Sequence, residues 1–471
     1  MCGICGFAGL RDQALLERMT AILAHRGPDS VGFFSSPQAS LGVRRLSLID
    51  LTTGDQPLAN EDGSVCLVLN GEIYNYRELR AELAPRHRFT THSDAEVVVH
   101  LYEEVGEALL ERLQGMFAFA LWDANRNRLL LARDRLGIKP LYYAPHQGAL
   151  YFASEAKAIL ANPELPRRLN PRAVARLLTY LYLPGPETLV EGIQRLPPGC
   201  WLSWQAGGIR LEPYWHLRVH APRRVSESEA IREFLRRFEE AVGSHLVSDV
   251  PVGALLSGGL DSAGIVAQMA RLLDRRPKTF TVGFAGAPDE RPLARRLAER
   301  LKTEHFEFEL QPERFARDLP RIVWHLEEPT PISFLPMFYL AEFARREVKA
   351  VLLGEGADEL FAGYRRLLGF SWPLRPLPSF MLRRWYHTVG VHSLTPYLQT
   401  NFNGAGPNPA FPDPIQHAFQ QKGQTRLGAI LNYEQSYQLP DQQLHRVDRM
   451  TMAWGLEARV PYLDHRLVEF A

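Results

Sequence analysis

The fold of the second half is decided by an apolar run that ends in a glycine-rich turn, Val250-Pro-Val-Gly-Ala-Leu-Leu-Ser-Gly-Gly-Leu-Asp-Ser262. A helical pattern follows to about Leu273, and a second strand pattern covers Thr279–Phe284. A later apolar run, Ala350–Leu353, is followed by an acidic turn, Gly354-Glu-Gly-Ala-Asp-Glu359. Strands that alternate with helices favour a parallel sheet with crossover connections, so we predict an α/β fold here.

Residues 1–205 show a different pattern, in which short strands are separated by Gly, Asn and Asp. Two stretches have helical periodicity, Asp12–His25 and Asp94–Leu113. The turn Asp123-Ala-Asn-Arg-Asn-Arg128 predicts a β-hairpin and therefore antiparallel pairing. We predict an α+β domain here. The strand-like runs are Gly3–Gly9, Ala39–Leu51, Ser64–Asn70, Met116–Asp123, Arg128–Arg133, Leu141–Ala144 and Ala149–Ser154.

The length of the chain favours more than one domain, because 471 residues exceed one ordinary core. A stretch rich in Pro and Gly separates the two patterns. We therefore predict a first domain over residues 1–205, a linker over 206–225 and a second domain over 226–471. Within the second domain, residues 370–425 show no clear period and are assigned only to helix and loop.

Composition indicates a soluble protein, because 46% hydrophobic and 23% charged residues are typical of globular chains. The 54 basic and 53 acidic residues give a net charge of +1, which favours no nucleic-acid partner. Four cysteines are too few for a secreted disulfide framework, and no run approaches the ~18 apolar residues of a bilayer span. We expect a cytoplasmic location, no membrane partner and a symmetric homodimer.

Cys2 becomes the first residue when Met1 is removed, which the small side chain of cysteine permits. A free α-amine titrates near 8, so it can act as a general base for the thiol of the same residue. The pair Asn70-Gly71 ends an apolar run and can offer a side-chain amide and a backbone N–H as an oxyanion hole. Position alone also allows an incidental cysteine and an ordinary Asn-Gly turn. The spacing of Cys2 and Cys5 leaves metal or redox use as a minor alternative.

Six motifs of the first half have the order and spacing of a known domain. They resemble the class II glutamine amidotransferase domain of glutamine-hydrolysing asparagine synthetases. The resemblance implies an N-terminal-nucleophile sandwich, in which two antiparallel sheets lie between helices. The motifs are Cys2-Gly-Ile, His25-Arg-Gly-Pro-Asp29, Arg45-Leu-Ser, Asn70-Gly-Glu-Ile-Tyr-Asn75, Ser93-Asp-Ala-Glu96 and Arg133-Asp-Arg-Leu-Gly-Ile-Lys-Pro140.

The same resemblance implies a role for each residue of a glutamine site. Cys2 is expected to attack the side-chain amide of glutamine, while Asn70-Gly71 holds the oxyanion. Arg45 is expected to bind the α-carboxylate of the substrate in a charge-assisted contact. Glu72 and Asp94 are expected to hold its α-ammonium group.

The turn Ser257–Ser262 suits an anion, because its backbone N–H groups and the positive end of a helix meet there. It lacks the Gly-Lys-Ser/Thr sequence of a Walker loop and the dinucleotide fingerprint. It resembles instead the pyrophosphate loop of enzymes that cleave ATP between the α and β phosphates. The plainer alternative is a helix cap by Ser257 or Asp261. A carboxylate at Asp261 beside phosphates needs a bridging cation, and we expect Mg²⁺.

The acidic turn Gly354–Glu359 resembles the second signature of the same family. The resemblance implies that Asp358 joins Asp261 around Mg²⁺ and pyrophosphate, and that Glu355 takes part in the attack of ammonia. The family usually has serine in place of Leu353, so a hydroxyl contact with the nucleotide is expected to be lost. The implied ATP-binding residues are Leu255, Ser257, Gly258, Gly259, Asp261, Ser262, Val282, Leu353 and Gly354.

The function implied is glutamine-dependent asparagine synthesis, in which ammonia passes internally to a β-aspartyl-AMP formed from aspartate and ATP. The products are asparagine, glutamate, AMP and pyrophosphate. Because protonated ammonia is not nucleophilic, this function predicts an apolar passage between the domains. Two alternatives stay open, an amidotransferase of the same build that acts on another carboxylate and a glutaminase-only or inactive relative.

The end of the sequence departs from the family pattern. Family members continue well beyond the position of Ala471, and the continuation carries a lysine that neutralises charge as pyrophosphate leaves. We therefore expect a chain truncated at its C-terminus, which is either a fragment or a shortened relative with a slow or inactive synthetase half. The stretches Val447–Ala453 and Glu457–Asp464 also match the family, without individual roles.

Overall fold

The computed structural model describes residues 2–217, 225–284, 289–329, 335–367, 414, 417–418 and 425–471. These residues form two sheets in a first part, residues 2–217, and one sheet in a second part, residues 225–471. Within those ranges, every helix lacks the length or the apolar character that crossing a bilayer requires. The stretch 370–425, predicted only as helix and loop, lies outside the described residues except for 414, 417, 418 and 425.

The first part is built on antiparallel strands. These are β1 (Cys2–Ala8), β2 (Ser30–Ser35), β3 (Ala39–Arg45), β4 (Leu58–Ala59), β5 (Val65–Ile73), β6 (Gly115–Asp123), β7 (Arg128–Arg133), β8 (Tyr142–His146), β9 (Ala149–Ala153), β10 (Gln194–Arg195), β11 (Cys200–Gln205) and β12 (Gly208–Pro213). One sheet has the order β10-β8-β9-β1-β3-β2 and the other β12-β11-β7-β6-β5-β4. They pack face to face through a shared apolar cluster that includes Ile4 and Val43 of one sheet and Val68 and Leu131 of the other.

Helices cover the outer faces of both sheets, so the predicted sandwich is confirmed. Leu16 and Met19 of the first helix pack on the β1 sheet, and Val98 and Leu101 of the third pack on the β5 sheet. The first helix begins at Gln13 because the Asp12 carboxylate accepts the Leu15 N–H at 2.9 Å. The helices are α1 (Gln13–Ile22), α2 (Tyr76–Leu83), α3 (Glu96–Val105), α4 (Leu109–Arg112), α5 (Ala156–Ile159) and α6 (Pro171–Tyr180).

The second part has a parallel sheet between helices, which confirms the predicted α/β fold. Its strands are β13 (Val252–Leu255), β14 (Lys278–Phe284), β15 (Glu304–Leu310), β16 (Ala350–Leu352) and β17 (Glu457–Arg459), in the order β15-β14-β13-β16-β17. The central neighbours β13 and β16 bring the two turns that follow them side by side. The helices are α7 (Glu227–His245), α8 (Leu260–Leu272), α9 (Arg291–Leu301), α10 (Glu313–Leu326), α11 (Leu335–Ala344), α12 (Ala357–Phe361), α13 (Arg426–Tyr433), α14 (His445–Met452) and α15 (His465–Val468).

Two segments differ from the sequence prediction for a local reason. The helical stretch predicted over Asp94–Leu113 is divided into α3 and α4, because Gly106 has a φ of +58° and ends α3. Residues 208–213, within the predicted linker, form the edge strand β12. Ala206 and Gly207 have φ values of +49° and +83°, which close a tight hairpin between β11 and β12.

The two parts pack against each other. The Asp249 N–H donates to the Leu48 carbonyl at 2.9 Å, and the Asp249 carboxylate accepts the Asp50 N–H at 2.7 Å. Apolar side chains of both parts also join one buried cluster, called here the interface cluster. From the first part it contains Leu46, Leu48, Met116, Leu136 and Ile138, and from the second part it includes Leu353, Leu444, Val447 and Leu463.

Candidate functional site

Cys2 begins β1 and lies between the two sheets of the first part. It is opposite Arg45 in the β1–β3 pairing, and its backbone nitrogen donates to Asn70 Oδ1 of the other sheet at 3.0 Å. Burial raises the pKa of the Cys2 thiol, although the positive charge of the Arg45 guanidinium opposes this rise. The structure therefore brings the leading cysteine and the predicted Asn-Gly pair together.

Asn70 and Gly71 lie in β5, opposite Ala118 and Phe117 of β6. The Asn70 side chain is buried, and its Nδ2 has no hydrogen-bond partner among the described residues. A Cβ atom at Gly71 would lie 2.1 Å from the Met116 carbonyl oxygen, so only glycine fits there. A buried donor without a partner is costly unless a ligand oxygen meets it, so this amide suits a bound oxyanion.

The Arg45 guanidinium is held by the segment that follows β3. Its Nη2 donates to the carbonyl oxygens of Ile49 at 2.9 Å and Asp50 at 2.7 Å, and its Nη1 lies 2.9 Å from Asp55 Oδ1. Although burial opposes it, hydrogen bonds from Thr53 lower the pKa of Asp50 to about 2, so this turn keeps its charge. The guanidinium is thus oriented beside Cys2 before any substrate arrives.

Glu72 and Asp94 form a buried acidic pair near the end of β5. Burial, and then the negative charges of Glu457 and Asp94, raise the pKa of Glu72 well above its ordinary value. Burial also raises the pKa of Asp94, although the Ile73 N–H donates to its Oδ2 at 2.8 Å. Arg459 of the second part reaches Glu72 Oε2 at 3.5 Å. A cationic group bound here would restore the charge of both acids.

Two neighbours of Cys2 were missed in the sequence. Gln56 Nε2 lies 3.9 Å from Cys2 Sγ, and the Gln56 amide pairs with the backbone of Leu69 as a strand would. No local pattern marks this glutamine. Arg26 Nε donates to the Cys2 carbonyl at 3.3 Å, and its Nη atoms contact both oxygens of Asp448 at 2.8 and 3.1 Å. For Arg26 the available signal was the quoted motif His25-Arg-Gly-Pro-Asp29.

The turn Ser257–Ser262 connects the end of β13 to α8, as the sequence predicts. Its hydroxyls bond within the turn, since Ser257 Oγ lies 3.0 Å from Ser262 Oγ and accepts the Gly259 N–H at 3.1 Å. Leu260, the first residue of α8, is 86% exposed, so the turn opens to solvent. The first N–H groups of a helix have no partner within it, and those of α8 can therefore meet an anion.

The glycine-rich turn Ser257–Ser262 and the acidic turn Gly354–Glu359 meet where β13 and β16 end. A Cβ atom at Gly354 would lie 3.0 Å from Asp261 Cβ. Desolvation, and then the negative charge of Asp358, raise the pKa of Asp261. Desolvation also raises the pKa of Asp358, although Arg366 opposes it. Both carboxylates are half-buried, and such a pair beside an anion turn is the donor set that a hard divalent cation prefers.

Glu355 lies on the same acidic turn. Desolvation, and then the negative charge of Glu359, raise the pKa of Glu355 to about 7. Glu359 is itself buried and accepts a hydrogen bond from the Tyr364 hydroxyl at 2.5 Å. Sequence reasoning missed the role of Glu359 and Tyr364, because only the packed turn reveals that two acids crowd one another. A carboxyl with a pKa near 7 can exchange protons at neutral pH.

The predicted nucleotide-lining residues come from three strands and meet at one edge of the sheet. Leu255 ends β13, Val282 lies on β14, and Leu353 follows β16. Leu255 and Leu353 belong to one buried cluster, against which Val282 packs. The Tyr462 hydroxyl donates to the Asp261 carbonyl at 3.3 Å, which was not predicted.

Comparison with known proteins gives matches over both parts. Residues 1–215 match the family described as glutamine amidotransferase domain, and residues 233–471 match the family described as asparagine synthase. Asparagine synthetase (glutamine-hydrolyzing) 1 of Bacillus subtilis (strain 168) is 33% identical, over 99% of this chain and 80% of that protein. The Zea mays asparagine synthetase (glutamine-hydrolyzing) is 32% identical, over 100% of this chain and 70% of that protein. Asparagine synthetase (glutamine-hydrolyzing) 2 of Oryza sativa subsp. japonica is 33% identical, over 100% and 69%.

Proposed function

Because this chain belongs to the family of glutamine-hydrolysing asparagine synthetases, we propose that its two sites divide one reaction between them. The overall activity is glutamine-dependent asparagine synthesis with ATP as a substrate. At the first site, glutamine and water give glutamate and ammonia. At the second site, aspartate and ATP give β-aspartyl-AMP and pyrophosphate, and ammonia then displaces AMP to form asparagine.

At the first site, Cys2 supplies the nucleophile. Burial disfavours its thiolate, so deprotonation needs an adjacent base, and removal of Met1 converts the Cys2 nitrogen into an α-amine on the same residue. This amine accepts the thiol proton as Sγ attacks the amide carbon of glutamine, and it then gives the proton to the departing ammonia. Water hydrolyses the thioester to glutamate and regenerates the thiol.

The oxyanion of each step is stabilised by Asn70 Nδ2 and the Gly71 N–H. The observation that carries this assignment is that the buried Asn70 Nδ2 has no hydrogen-bond partner among the described residues. The other atom of the same amide, Oδ1, accepts a hydrogen bond from the Cys2 nitrogen. One such donor is typically worth about 2.7–4 kcal/mol in the transition state. Arg45 binds the α-carboxylate of glutamine. The α-ammonium group of glutamine lies against Glu72 and Asp94. The pKa values of these two acids are raised in the free protein and return toward their ordinary range beside a cation.

At the second site, the residues fit ATP together with Mg²⁺. Asp261 and Asp358 are half-buried and repel one another, and a divalent cation between them removes that repulsion. When bound, Mg²⁺ neutralises charge between these carboxylates and the departing pyrophosphate. The turn Ser257–Ser262 binds the phosphates through its hydroxyls and N–H groups. The residues that enclose the nucleotide are Leu255, Gly258, Gly259, Val282, Leu353 and Gly354.

Glu355 accepts a proton from ammonia as the nitrogen attacks the activated carboxyl, which its pKa of about 7 permits at neutral pH. The ammonia follows the interface cluster between the two sites. At one end, Leu46 follows Arg45 and Met116 is opposite Glu72 in the β5–β6 pairing. At the other end, Leu353 precedes the acidic turn. Apolar side chains cannot protonate ammonia, so this route keeps it nucleophilic.

We assign the glutaminase domain to the predicted residues 1–205 extended by the edge strand β12, Gly208–Pro213, and the synthetase domain to residues 226–471. The enzyme is cytoplasmic, binds no nucleic acid and acts as a homodimer, the commonest symmetric assembly. The four cysteines are free thiols, which suits a reducing compartment. Sedimentation of the purified chain tests the assembly, and a monomer at micromolar concentration would contradict it.

One assay tests the proposed reaction. Purified protein is supplied with ATP, Mg²⁺ and glutamine, and pyrophosphate release is followed with and without aspartate. We expect pyrophosphate to depend on aspartate and to equal the asparagine formed. Glutamate production without pyrophosphate would contradict the synthetase half, and pyrophosphate release that requires another carboxylic acid would contradict aspartate as the acceptor.

A further inference from the structure

Four ionisable side chains outside both sites converge beside the β4–β5 hairpin. They are called here the His/Glu cluster and consist of Glu61, His87, His100 and Glu103. Glu61 lies in the hairpin tip, His87 follows α2, and the other two lie on α3. One ligand atom of each lies within 4.8 Å of the others. The His100 and His87 side chains are 1% and 11% exposed, so the histidines face the protein rather than water.

The Nδ1 atoms of both histidines face the two glutamates. His87 Nδ1 lies 3.5 Å from Glu61 Oε1 and 3.6 Å from Glu103 Oε2. His100 Nδ1 lies 3.7 Å from Glu61 Oε2 and 3.2 Å from Glu103 Oε2. Tetrahedral zinc with bonds of about 2.0–2.2 Å holds its ligand atoms about 3.3–3.6 Å apart. Glu103 Oε2 is close to this spacing from both Nδ1 atoms, and one ligand atom from each of the four side chains lies within 4.8 Å of the others.

The opposite ring nitrogens are backed by two further carboxylates. His87 Nε2 lies 3.0 Å from Glu104 Oε1, and His100 Nε2 lies 3.8 Å from Glu96 Oε1. Glu96 is held in place by the backbone N–H groups of Thr90 and Thr91, which donate to its carboxylate at 2.6 and 2.8 Å. The Glu104 carboxylate at hydrogen-bond distance from His87 Nε2 favours the proton on that nitrogen and leaves the His87 Nδ1 lone pair for a cation. Metal-binding histidines are supported in this way.

We propose that the His/Glu cluster binds a divalent transition metal ion, and that Zn²⁺ fits it best. Imidazole ligands favour zinc and similar metals, whereas Mg²⁺ and Ca²⁺ prefer oxygen ligands alone. Two carboxylates and two neutral imidazoles also balance a charge of 2+. Because four protein ligands fill a tetrahedral coordination sphere, the site is structural and leaves no position for a substrate.

The ion would fasten three segments that are separate in the chain. These are the hairpin tip at Glu61, the segment after α2 at His87, and α3. Asp94, which we assign to the glutamine pocket, lies two residues before α3, so the ion would steady that end of the pocket. Without an ion, the same contacts are pairs of protonated imidazole with carboxylate. The experiment distinguishes these two states.

The test is a metal titration of the full chain in a Cys2→Ala background, so that the catalytic thiol cannot bind the probe. The protein is stripped with a chelator and given Zn²⁺, or Co²⁺ as a visible-absorption probe. We expect one Zn²⁺ per chain and the intense absorption of four-coordinate Co²⁺. His87→Ala and Glu61→Gln should weaken Zn²⁺ binding at least about tenfold. The matched controls are His92→Ala and Glu78→Gln, whose side chains are exposed outside the cluster.

Thermal unfolding supplies a second readout. Zn²⁺ should raise the unfolding temperature of the parent and of His92→Ala, but not that of His87→Ala. Substoichiometric Zn²⁺, or equal affinity in His87→Ala and His92→Ala, would overturn the proposal and leave ion pairs only. If His87→Ala does not fold, the partly exposed and nearly isosteric Glu61→Gln variant decides by the same criterion.

Discussion

The proposed glutamine site and the proposed ATP site differ in how firmly contacts within the protein hold their functional groups in place. At the proposed glutamine site, Cys2, Arg45 and Asn70 lie on strands of two packed sheets, where Cys2 is opposite Arg45 and its nitrogen donates to Asn70 Oδ1. At the ATP site they lie on turns at a sheet edge, where the hydroxyls of Ser257 and Ser262 bond to each other. In the proposed function, donors on buried strands are therefore fixed before glutamine binds, whereas the turn hydroxyls would exchange their internal hydrogen bonds for bonds to phosphate.

Both sites nevertheless contain carboxylates whose charged form is disfavoured by burial. Glu72 and Asp94 are crowded in the glutamine pocket, and Asp261 and Asp358 at the ATP turn, and the pKa of each is raised. The two pairs differ in the cation proposed to stabilise their charged form. Under the proposed function, the ammonium group of glutamine would relieve the repulsion of the first pair, and a divalent cation that accompanies the nucleotide would relieve that of the second. The four predictions below test this contrast, in order of decreasing effect.

Cys2→Ala tests whether nitrogen release and nitrogen use are separate. Glutamine-dependent asparagine synthesis should fall at least about 10³-fold because the nucleophile is gone, whereas ammonium-dependent synthesis should keep its rate. Both rates are measured by asparagine formation. Cys66→Ala is the matched control, since Cys66 is a buried thiol elsewhere in the same core. Equal loss of both activities would refute the division of labour.

Asn70→Asp tests the preassembled oxyanion pocket. The aspartate keeps an oxygen toward the Cys2 nitrogen but replaces the Nδ2 donor with a second acceptor. Glutaminase kcat should fall about 10²–10³-fold, measured by glutamate release, and Asn70→Ala should fall as far. Wild-type kcat in the aspartate variant would show that this donor does not stabilise the oxyanion.

Asp358→Asn tests the cation at the second site. Aspartate-dependent pyrophosphate release should fall about 10²-fold and need more Mg²⁺, while glutamate release stays within about twofold of its usual rate. Asp274→Asn serves as control because Asp274 is an exposed acid of the same part. An unchanged Mg²⁺ dependence would contradict the assignment of Asp358.

Glu355→Gln gives the smallest expected effect, a change in unfolding temperature whose size depends on pH. Because the folded-state pKa of Glu355 is about 7, above its ordinary value of 4.5, stability falls as pH rises through this range. The amide variant should therefore unfold about 2–4 °C higher at pH 8, with little change at pH 4.5. Circular dichroism at both pH values checks this, with the exposed Glu313→Gln as control. A gain of equal size at pH 4.5 would contradict the raised pKa.

Local patterns in the sequence predicted antiparallel strands in the first half and an α/β fold in the second, whereas the two-sheet sandwich and most of the proposed site residues followed from the resemblance of the motifs. The strand, turn and helix around Ser257–Ser262 follow from periodicity and glycine placement, which are properties of adjacent residues. The division of the second long helix at Gly106 was missed, because a glycine inside a helical pattern does not by itself reveal a positive φ.

Contacts that lie outside the recognised motifs, or that depend on how the two parts pack, could not be predicted. The Arg26–Asp448 pair joins residues 422 positions apart, and the approach of Arg459 to Glu72 depends on how the two parts pack. The same limit applies to the His/Glu cluster, whose members come from a hairpin tip and from two segments beyond it. Residue types alone carry no signal for such pairs, because every Arg and Asp in the chain is an equal candidate.

Isotope transfer tests the link between the two sites most directly. The enzyme is given glutamine labelled with ¹⁵N in its side-chain amide, together with an equal concentration of unlabelled ammonium, and the asparagine is analysed by mass spectrometry. If ammonia moves through the interior, nearly all newly made asparagine amide will carry ¹⁵N. If the label instead matches the isotope ratio of the free ammonium pool, the nitrogen has passed through bulk water and the proposed coupling is wrong.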